Sequence, residues 1–189
     1  NMLHKELALK IFEAFSIERW NDLVRPFEII EMDKAGEKMV LTYIIGKFEE
    51  KNGNVIDWSW LIYASLFDLL KKIALCDIKS PVQRMIKNEY PEEYKKLNEW
   101  VLDSYRSVIS DKKLFAKFEK YLAEEETNNS LTSRVFRAAH KFSTMREFEM
   151  LSHVNEPYRL RNIEKQLYQD IGKYLDLTGL QQLIMKQKP

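Results

Sequence analysis

The sequence contains a single cysteine, Cys76, so it can form neither an internal disulfide nor a cysteine-rich zinc site. A lone cysteine is typical of a reducing compartment, and we expect a cytoplasmic protein. Only five glycines and five prolines occur in 189 residues, which excludes collagen-like and low-complexity classes. The longest mainly apolar runs, such as residues 61–66, are far shorter than the ~20 residues needed to span a bilayer.

The chain also lacks an excess of charge of one sign, because 30 lysines and arginines are balanced by 29 aspartates and glutamates. Proteins that bind nucleic acid or a membrane surface usually show a basic excess or stripe. We therefore expect neither of these as a partner. With 45% hydrophobic residues the chain can bury a core, and its length suits a single domain over residues 1–189.

Apolar residues recur at helical spacing along almost the whole chain, and no alternating stretch of strand length recurs. The sequence therefore predicts an all-α fold, a single globular helical bundle with about seven principal helices. The first helix is predicted from residue 3 to residue 15. Later helices are predicted to begin at these capping residues and prolines: Asp33, Asp57, Ser80 with Pro81, Pro91, Ser110 or Asp111, Ser130 and Pro157.

Two of these helices carry expectations about burial. The helix after Asp33 is predicted to bury an apolar face made of Met39, Tyr43, Ile44 and Phe48. The helix after Asp57 is the most apolar of the chain and is expected to be central. It contains Asp68, and a carboxylate on such a helix needs an explanation because burying it unpaired is costly.

Most familiar catalytic motifs are missing from the sequence. It has no glycine-rich phosphate loop, no His-Glu-x-x-His and no Gly-x-Ser-x-Gly motif. Of the three histidines, His4 and His153 are expected in solvated positions. His140 lies within a helix and fits either a hydrogen-bonded interior histidine or a metal ligand.

Several segments together resemble a known family. They are, in chain order, Glu18-Arg19-Trp20, Glu37-Lys38, residues 62–68 ending in Phe67-Asp68, residues 76–82, Glu92-Glu93-Tyr94 and residues 138–143 around His140. Their order and spacing resemble the HD superfamily of metal-dependent phosphohydrolases, and within it the bacterial 5′-deoxynucleotidases. The resemblance extends from about residue 5 to residue 177.

The resemblance implies a metal site and a substrate pocket. The metal-ligand positions of the family fall on Lys38, Phe67, Asp68 and His140. The catalytic glutamate of the family falls on Lys71 or Lys72. The candidate pocket and substrate-binding positions are Arg19, Trp20, Asp77 and Ser80.

The substituted residues change what this site can do. Only Asp68 keeps its ligand type, since Phe67 has no lone pair and Lys38 is an ammonium group with donors only. We therefore expect no cofactor and no hydrolase activity. The alternative is a metal-dependent phosphohydrolase with a rearranged site, in which Asp68 and His140, helped by Asp77 and water, hold a divalent Mn, Co, Mg, Zn or Fe ion.

Two further hypotheses concern individual side chains. Lys38 could face Asp68 and replace the metal by an ion pair, or it could extend to solvent. Arg19 and Trp20 could contact the phosphate and base of a nucleotide, or Arg19 could pair with a nearby carboxylate while Trp20 packs at a helix-to-loop junction.

Three classes of function remain open from the sequence. The one we favour is a catalytically degenerate HD-like protein that binds a ligand or a partner. The second is the rearranged phosphohydrolase, and the third is a helical interaction protein whose resemblance to the family is accidental. The expected partners are a nucleotide or another phosphate-bearing small molecule, and the resemblance implies that the chain can form a homodimer.

Overall fold

A computed structural model describes residues 4–186 of the chain. Over this range the structure is helical, which confirms the all-α prediction, and its only β feature is an isolated antiparallel bridge between Glu18 and Ile30. None of the helices in the described range combines the length and apolar character required to cross a membrane. The α-helices are α1 (Lys5–Phe12), α2 (Glu31–Lys51), α3 (Trp58–Ala74), α4 (Ser80–Glu89), α5 (Pro91–Tyr105), α6 (Lys112–Glu124), α7 (Leu131–Ser152), α8 (Pro157–Gly172) and α9 (Thr178–Met185).

Five of the seven predicted helix starts after the first helix are confirmed. The Asp57 side chain accepts a hydrogen bond from the first turn of α3, and Asp111 and Ser130 do the same for α6 and α7. Pro91 and Pro157 are the first residues of α5 and α8.

The other two of these starts are wrong. Asp33 lies inside α2, which begins at Glu31, and Ser80 is the first residue of α4 rather than its cap. The residues that precede these two helices make no side-chain capping hydrogen bond, so the capping rule did not locate the starts. The predicted first helix is shorter than expected, because residues 13–15 form a separate 3₁₀ turn, and residue 3 lies outside the described range.

The cap of α7 gives a first testable expectation. The Ser130 hydroxyl accepts a hydrogen bond from the backbone N–H of Ser133 at 3.2 Å. Replacing Ser130 with alanine should lower the free energy of unfolding by about 1 kcal/mol, because this N–H loses its partner. Urea denaturation measures the change. Ser110→Ala, the same substitution at an exposed position just before the cap of α6, should change it by much less.

The described chain divides into two compact units. The first contains residues 4–17 and 63–128, and the second contains residues 18–62 and 129–186. The core of the first unit is built around aromatic side chains, with the rings of Phe67 and Phe118 stacked at 5.0 Å. Tyr105 is fully buried there, and its hydroxyl donates to the backbone carbonyl of Leu70. The phenol is therefore satisfied inside an otherwise apolar core.

In the second unit, α2 packs on α7 and α9, and α7 also packs on α8. The contact of α2 with α9 is close because a glycine lies there. A Cβ atom added at Gly179 would lie 2.8 Å from the Cα atom of Ile45. Gly179 therefore lets the two helix backbones approach more closely than any other residue would allow.

The predicted buried face of α2 is wrong. Met39 and Tyr43 are more than half exposed, and the helix instead buries a partly polar face. The prediction failed because it assumed that charged side chains point to solvent, whereas these find partners on neighbouring helices. The buried residues of α2 are Lys34, Lys38, Leu41, Thr42, Ile45, Gly46 and Glu49.

Candidate functional site

The candidate site in the second unit includes the loop between residues 18 and 30, whose two ends are joined by backbone contacts. The bridge between Glu18 and Ile30 joins the two ends, and the N–H of Arg19 donates to the carbonyl of Ile29 at 2.7 Å. Trp20 has a φ of 58°, which places it in the left-handed region that non-glycine residues rarely adopt. Neighbouring side chains of an extended segment point to opposite sides, and the left-handed residue breaks this alternation. Arg19 and Trp20 thereby reach the same partner.

That partner is Glu147 on α7. Arg19 Nε donates to Glu147 Oε2 at 2.9 Å, and the indole N–H of Trp20 donates to the same oxygen. Lys34 Nζ lies 2.9 Å from Glu147 Oε1, and Arg19 Nη1 donates to Glu31 Oε1 at 3.0 Å. We refer to Arg19, Trp20, Glu31, Lys34 and Glu147 as the Glu147 cluster. It is a largely buried ion-pair network.

Lys34 is the most deeply buried member, with a side chain only 1% exposed. Besides Glu147, its ammonium donates to Thr144 Oγ1 at 2.7 Å and to the backbone carbonyl of His140 at 3.3 Å. The contact with Glu147 Oε1 is an ion pair without hydrogen-bond geometry, so two of the three N–H donors have these acceptors and the carboxylate supplies the opposite charge. A buried lysine is stable here because its charge is neutralised by a carboxylate and its ammonium donates to two oxygens.

Electrostatics favours the charged forms of Glu147 and Arg19 in the folded protein. Burial alone would raise the pKa of Glu147, but the charges of Lys34 and Arg19 and their hydrogen bonds lower it overall. Burial alone would lower the pKa of Arg19, and Glu147 and Glu31 raise it overall. The carboxylate form of Glu147 is therefore favoured by the folded state.

This shift makes stability depend on pH in acid. Because the folded-state pKa of Glu147 is lowered, its ionisation stabilises the fold fully above the unfolded pKa of about 4.3, and this contribution is lost as pH falls through the folded pKa. The difference in unfolding free energy between the native protein and Glu147→Gln should therefore be constant near neutrality and shrink below about pH 4.3. Urea denaturation at several pH values measures it, and a difference that grows in acid would contradict this assignment.

Two of the metal-ligand positions implied by the resemblance lie in the second unit. Lys38 is buried on α2, so the alternative in which it extends to solvent is wrong, and its Nζ lies 3.8 Å from the centroid of the Phe136 ring as a cation–π contact. His140 is half-buried on α7, and its carbonyl accepts from Lys34.

The other two positions lie in the first unit. Phe67 is 1% exposed and stacks on Tyr63 and Phe118. Asp68 is only partly buried and forms an ion pair of 3.1 Å with Lys72, one turn further along α3. The Lys72 ammonium is thus one partner of this carboxylate on an apolar helix. The ion pair expected between Lys38 and Asp68 stays a prediction.

The remaining positions named by the resemblance also lie in the first unit. Lys71, one of the two residues at the catalytic-glutamate position, is buried and donates to Tyr94 Oη at 2.7 Å and Glu125 Oε2 at 2.6 Å. Burial lowers the pKa of Lys71, but Glu125 and Tyr94 raise it overall, so it stays protonated. Asp77 and Ser80 are exposed, just before and at the first residue of α4.

The donor chemistry of these positions does not fit a metal ion. Lys38 and Phe67 have no electron pair to offer, and their side chains are engaged with aromatic rings. Among residues 4–186, no three histidine, cysteine, aspartate or glutamate side chains are grouped so that they could hold a metal ion.

A groove in the first unit differs in character from the Glu147 cluster. It has a volume of about 460 Å³ and is lined by Met85, Ile86, Tyr90, Leu97 and Trp100, together with Glu93 and Lys96. The two charged side chains pair with each other at 2.9 Å. Convergent polar groups that could orient a ligand therefore occur in the cluster rather than in this groove.

Comparison with known proteins gives no relative: no family model, curated protein or solved structure matches this chain. The resemblance to the HD superfamily therefore stays a prediction.

Sequence reasoning named Arg19 and Trp20 but missed Glu31, Lys34 and Glu147. A signal for the missing residues was present, as polar stripes at helical spacing. Lys34 lies one turn before Lys38 on α2, and Thr144 lies one turn after His140 on α7 with Glu147 three residues further on. Such stripes are usually solvent-exposed, and only the packing of α2 on α7 identifies these as internal.

Proposed function

We propose that this chain is a divergent HD-like protein that binds a phosphate-bearing small molecule, such as a nucleotide, and does not hydrolyse it. The observation that carries the proposal is the chemistry of the buried polar groups in the second unit. Arg19 and Trp20 donate to one carboxylate oxygen of Glu147, Lys34 forms an ion pair with the other, and two of these three groups are cationic. Converging charge-assisted donors suit an anion.

The same chemistry argues against a divalent cation. Lys34 and Lys38 place two ammonium groups on the buried face of α2. Ammonium groups donate hydrogen bonds but cannot coordinate a metal, and their charge repels one. The loss of electron-pair donors at Lys38 and Phe67 supports binding without phosphoester hydrolysis, and without a metal cofactor.

The test combines three measurements on the purified native protein. We expect no stoichiometric metal after incubation with Mn, Co, Mg, Zn or Fe salts and dialysis, no release of phosphate from nucleoside 5′-monophosphates, and measurable nucleotide binding by calorimetry. Arg19→Ala should weaken binding at least about tenfold, since one charge-assisted contact is worth ~1.5–3 kcal/mol. Arg161→Ala, at an exposed arginine of α8, should not.

Other outcomes would overturn the proposal. Stoichiometric metal with phosphate release that is lost in Asp68→Ala and His140→Ala would establish the rearranged phosphohydrolase instead. Absence of nucleotide binding in the native protein would contradict the ligand-binding function. The helical interaction protein would then be the remaining hypothesis.

The proposal includes a homodimer as the expected assembly. Sedimentation equilibrium over a range of protein concentrations measures the mass directly. A mass of 22.6 kDa at all concentrations would exclude the dimer.

A further inference from the structure

We propose that Glu147 is an internal competitor for the ligand, so that its carboxylate closes the anion-binding site that Arg19, Trp20 and Lys34 form. The inference rests on the proposed function and adds a regulation of the same site. Both oxygens of Glu147 are engaged, Oε2 by Arg19 and Trp20 and Oε1 by Lys34. A phosphate group needs the same donors at its own oxygens.

The donors have positional supports other than Glu147, because Arg19 and Trp20 lie on the closed loop and Lys34 lies on α2. The bridge between Glu18 and Ile30 closes the base of the loop, and the left-handed backbone of Trp20 directs its indole. The Arg19 guanidinium has a second anchor in Glu31, at 3.0 Å. Glu31 is therefore a positioning residue that would hold Arg19 in place after Glu147 has moved away.

Glu31 can also accept a further hydrogen bond. Its Oε2 atom is buried and has no hydrogen-bond partner among the described residues. A guanidinium released by Glu147 can engage both oxygens of Glu31 through its remaining N–H groups. Its other edge would then be available to an incoming anion.

The loop has a second attachment away from the cluster, at the surface of the second unit. The side chain of Asn155 accepts from the N–H of Val24 at 3.1 Å and donates to its carbonyl at 2.7 Å. Arg159 donates to the carbonyl of Asp22 at 3.0 Å. These exposed hydrogen bonds hold the loop while Glu147 exchanges with a ligand, so the exchange needs a side-chain movement and not the release of the whole loop.

The test measures the binding of inorganic phosphate and of a nucleoside monophosphate by calorimetry, at pH 7 and constant ionic strength. Glu147→Ala removes the competitor and should bind inorganic phosphate at least tenfold more tightly than the native protein. Glu147→Gln keeps the volume and removes the charge, and it should bind with intermediate affinity. Glu37→Ala, which removes a carboxylate from an exposed pair on the same two helices, should bind like the native protein. Adding Arg19→Ala to Glu147→Ala should abolish the gain.

If Glu147→Ala does not fold, two other measurements still decide the test. One is phosphate binding by Glu147→Gln, and the other is made on the native protein. In the native protein, phosphate should shift the NMR signal of the Trp20 indole N–H more than those of the other three tryptophans.

A folded Glu147 variant that binds phosphate no more tightly than the native protein would overturn the inference. Binding of phosphate to the native protein that leaves the Trp20 signal unshifted would overturn it as well. If the native protein binds the nucleotide and neither Glu147 variant changes its affinity, the competitor role of Glu147 is refuted and the proposed ligand binding stands. If the Glu147 variants bind phosphate but the native protein binds neither phosphate nor nucleotide, the proposed function of the native protein is refuted and the competitor role of Glu147 stands.

Discussion

Replacing Glu147 with alanine should lower the free energy of unfolding by about 3–5 kcal/mol, because it leaves two buried cations without their shared counter-ion. Arg19 and Lys34 both pair with this carboxylate, whose side chain is 5% exposed. The loss is large compared with the ~5–15 kcal/mol that stabilises a typical domain. Urea denaturation at pH 7, followed by circular dichroism, measures it.

An exposed ion pair between the same two helices is the control. Arg146 on α7 pairs with Glu37 on α2 at 3.0 Å, and both side chains are at least one-third exposed. Glu37→Ala should cost less than about 1 kcal/mol, because solvent screens this pair. Equal losses in the two variants would mean that burial of the Glu147 cluster contributes nothing to stability.

Replacing Phe67 with alanine should lower the free energy of unfolding by about 3–5 kcal/mol through the cavity that it leaves. The ring is fully buried in the first unit and packs against three aromatic rings, those of Tyr63, Phe118 and Tyr121. Thermal and urea denaturation measure the loss. Phe12→Ala, the same change at a side chain that is 58% exposed in the first unit, should have a much smaller effect.

A second variant at position 67 tests the chemistry that the resemblance implies. Phe67→His introduces an imidazole, a metal-binding group, at one of the metal-ligand positions that the resemblance implies, and burying its polar nitrogens in an aromatic stack should destabilise the protein. We expect Mn²⁺ or Zn²⁺ to leave the stability of this variant unchanged. Recovery of stability on adding the metal would instead mean that a latent cation site survives beside Asp68.

The fold class and most helix starts could be predicted from the sequence, because they follow from local rules. Asp57, Asp111 and Ser130 accept hydrogen bonds from the first turn of a helix whatever the rest of the chain does. One partner of Asp68 could also have been predicted, since Lys72 lies one helical turn away.

The buried face of α2 and the Glu147 cluster could not be predicted in the same way. Glu147 is separated by 128 residues from Arg19 and by more than one hundred from Lys34, so no local spacing links them. Hydrophobic periodicity also assigns charged residues to the surface, and here Lys34 and Lys38 are internal. Buried charges are placed by tertiary partners, which only the packing of α2 on α7 reveals.

The left-handed backbone at Trp20 has a consequence for which amino acids this position can accept. Any residue other than glycine retains a backbone strain of about 1–3 kcal/mol there, while glycine relaxes the strain but removes the indole. No replacement can both relieve the torsion and keep the donor. In a saturation library, tryptophan should therefore be enriched under selection for ligand binding, whereas glycine should be tolerated when only folding is selected.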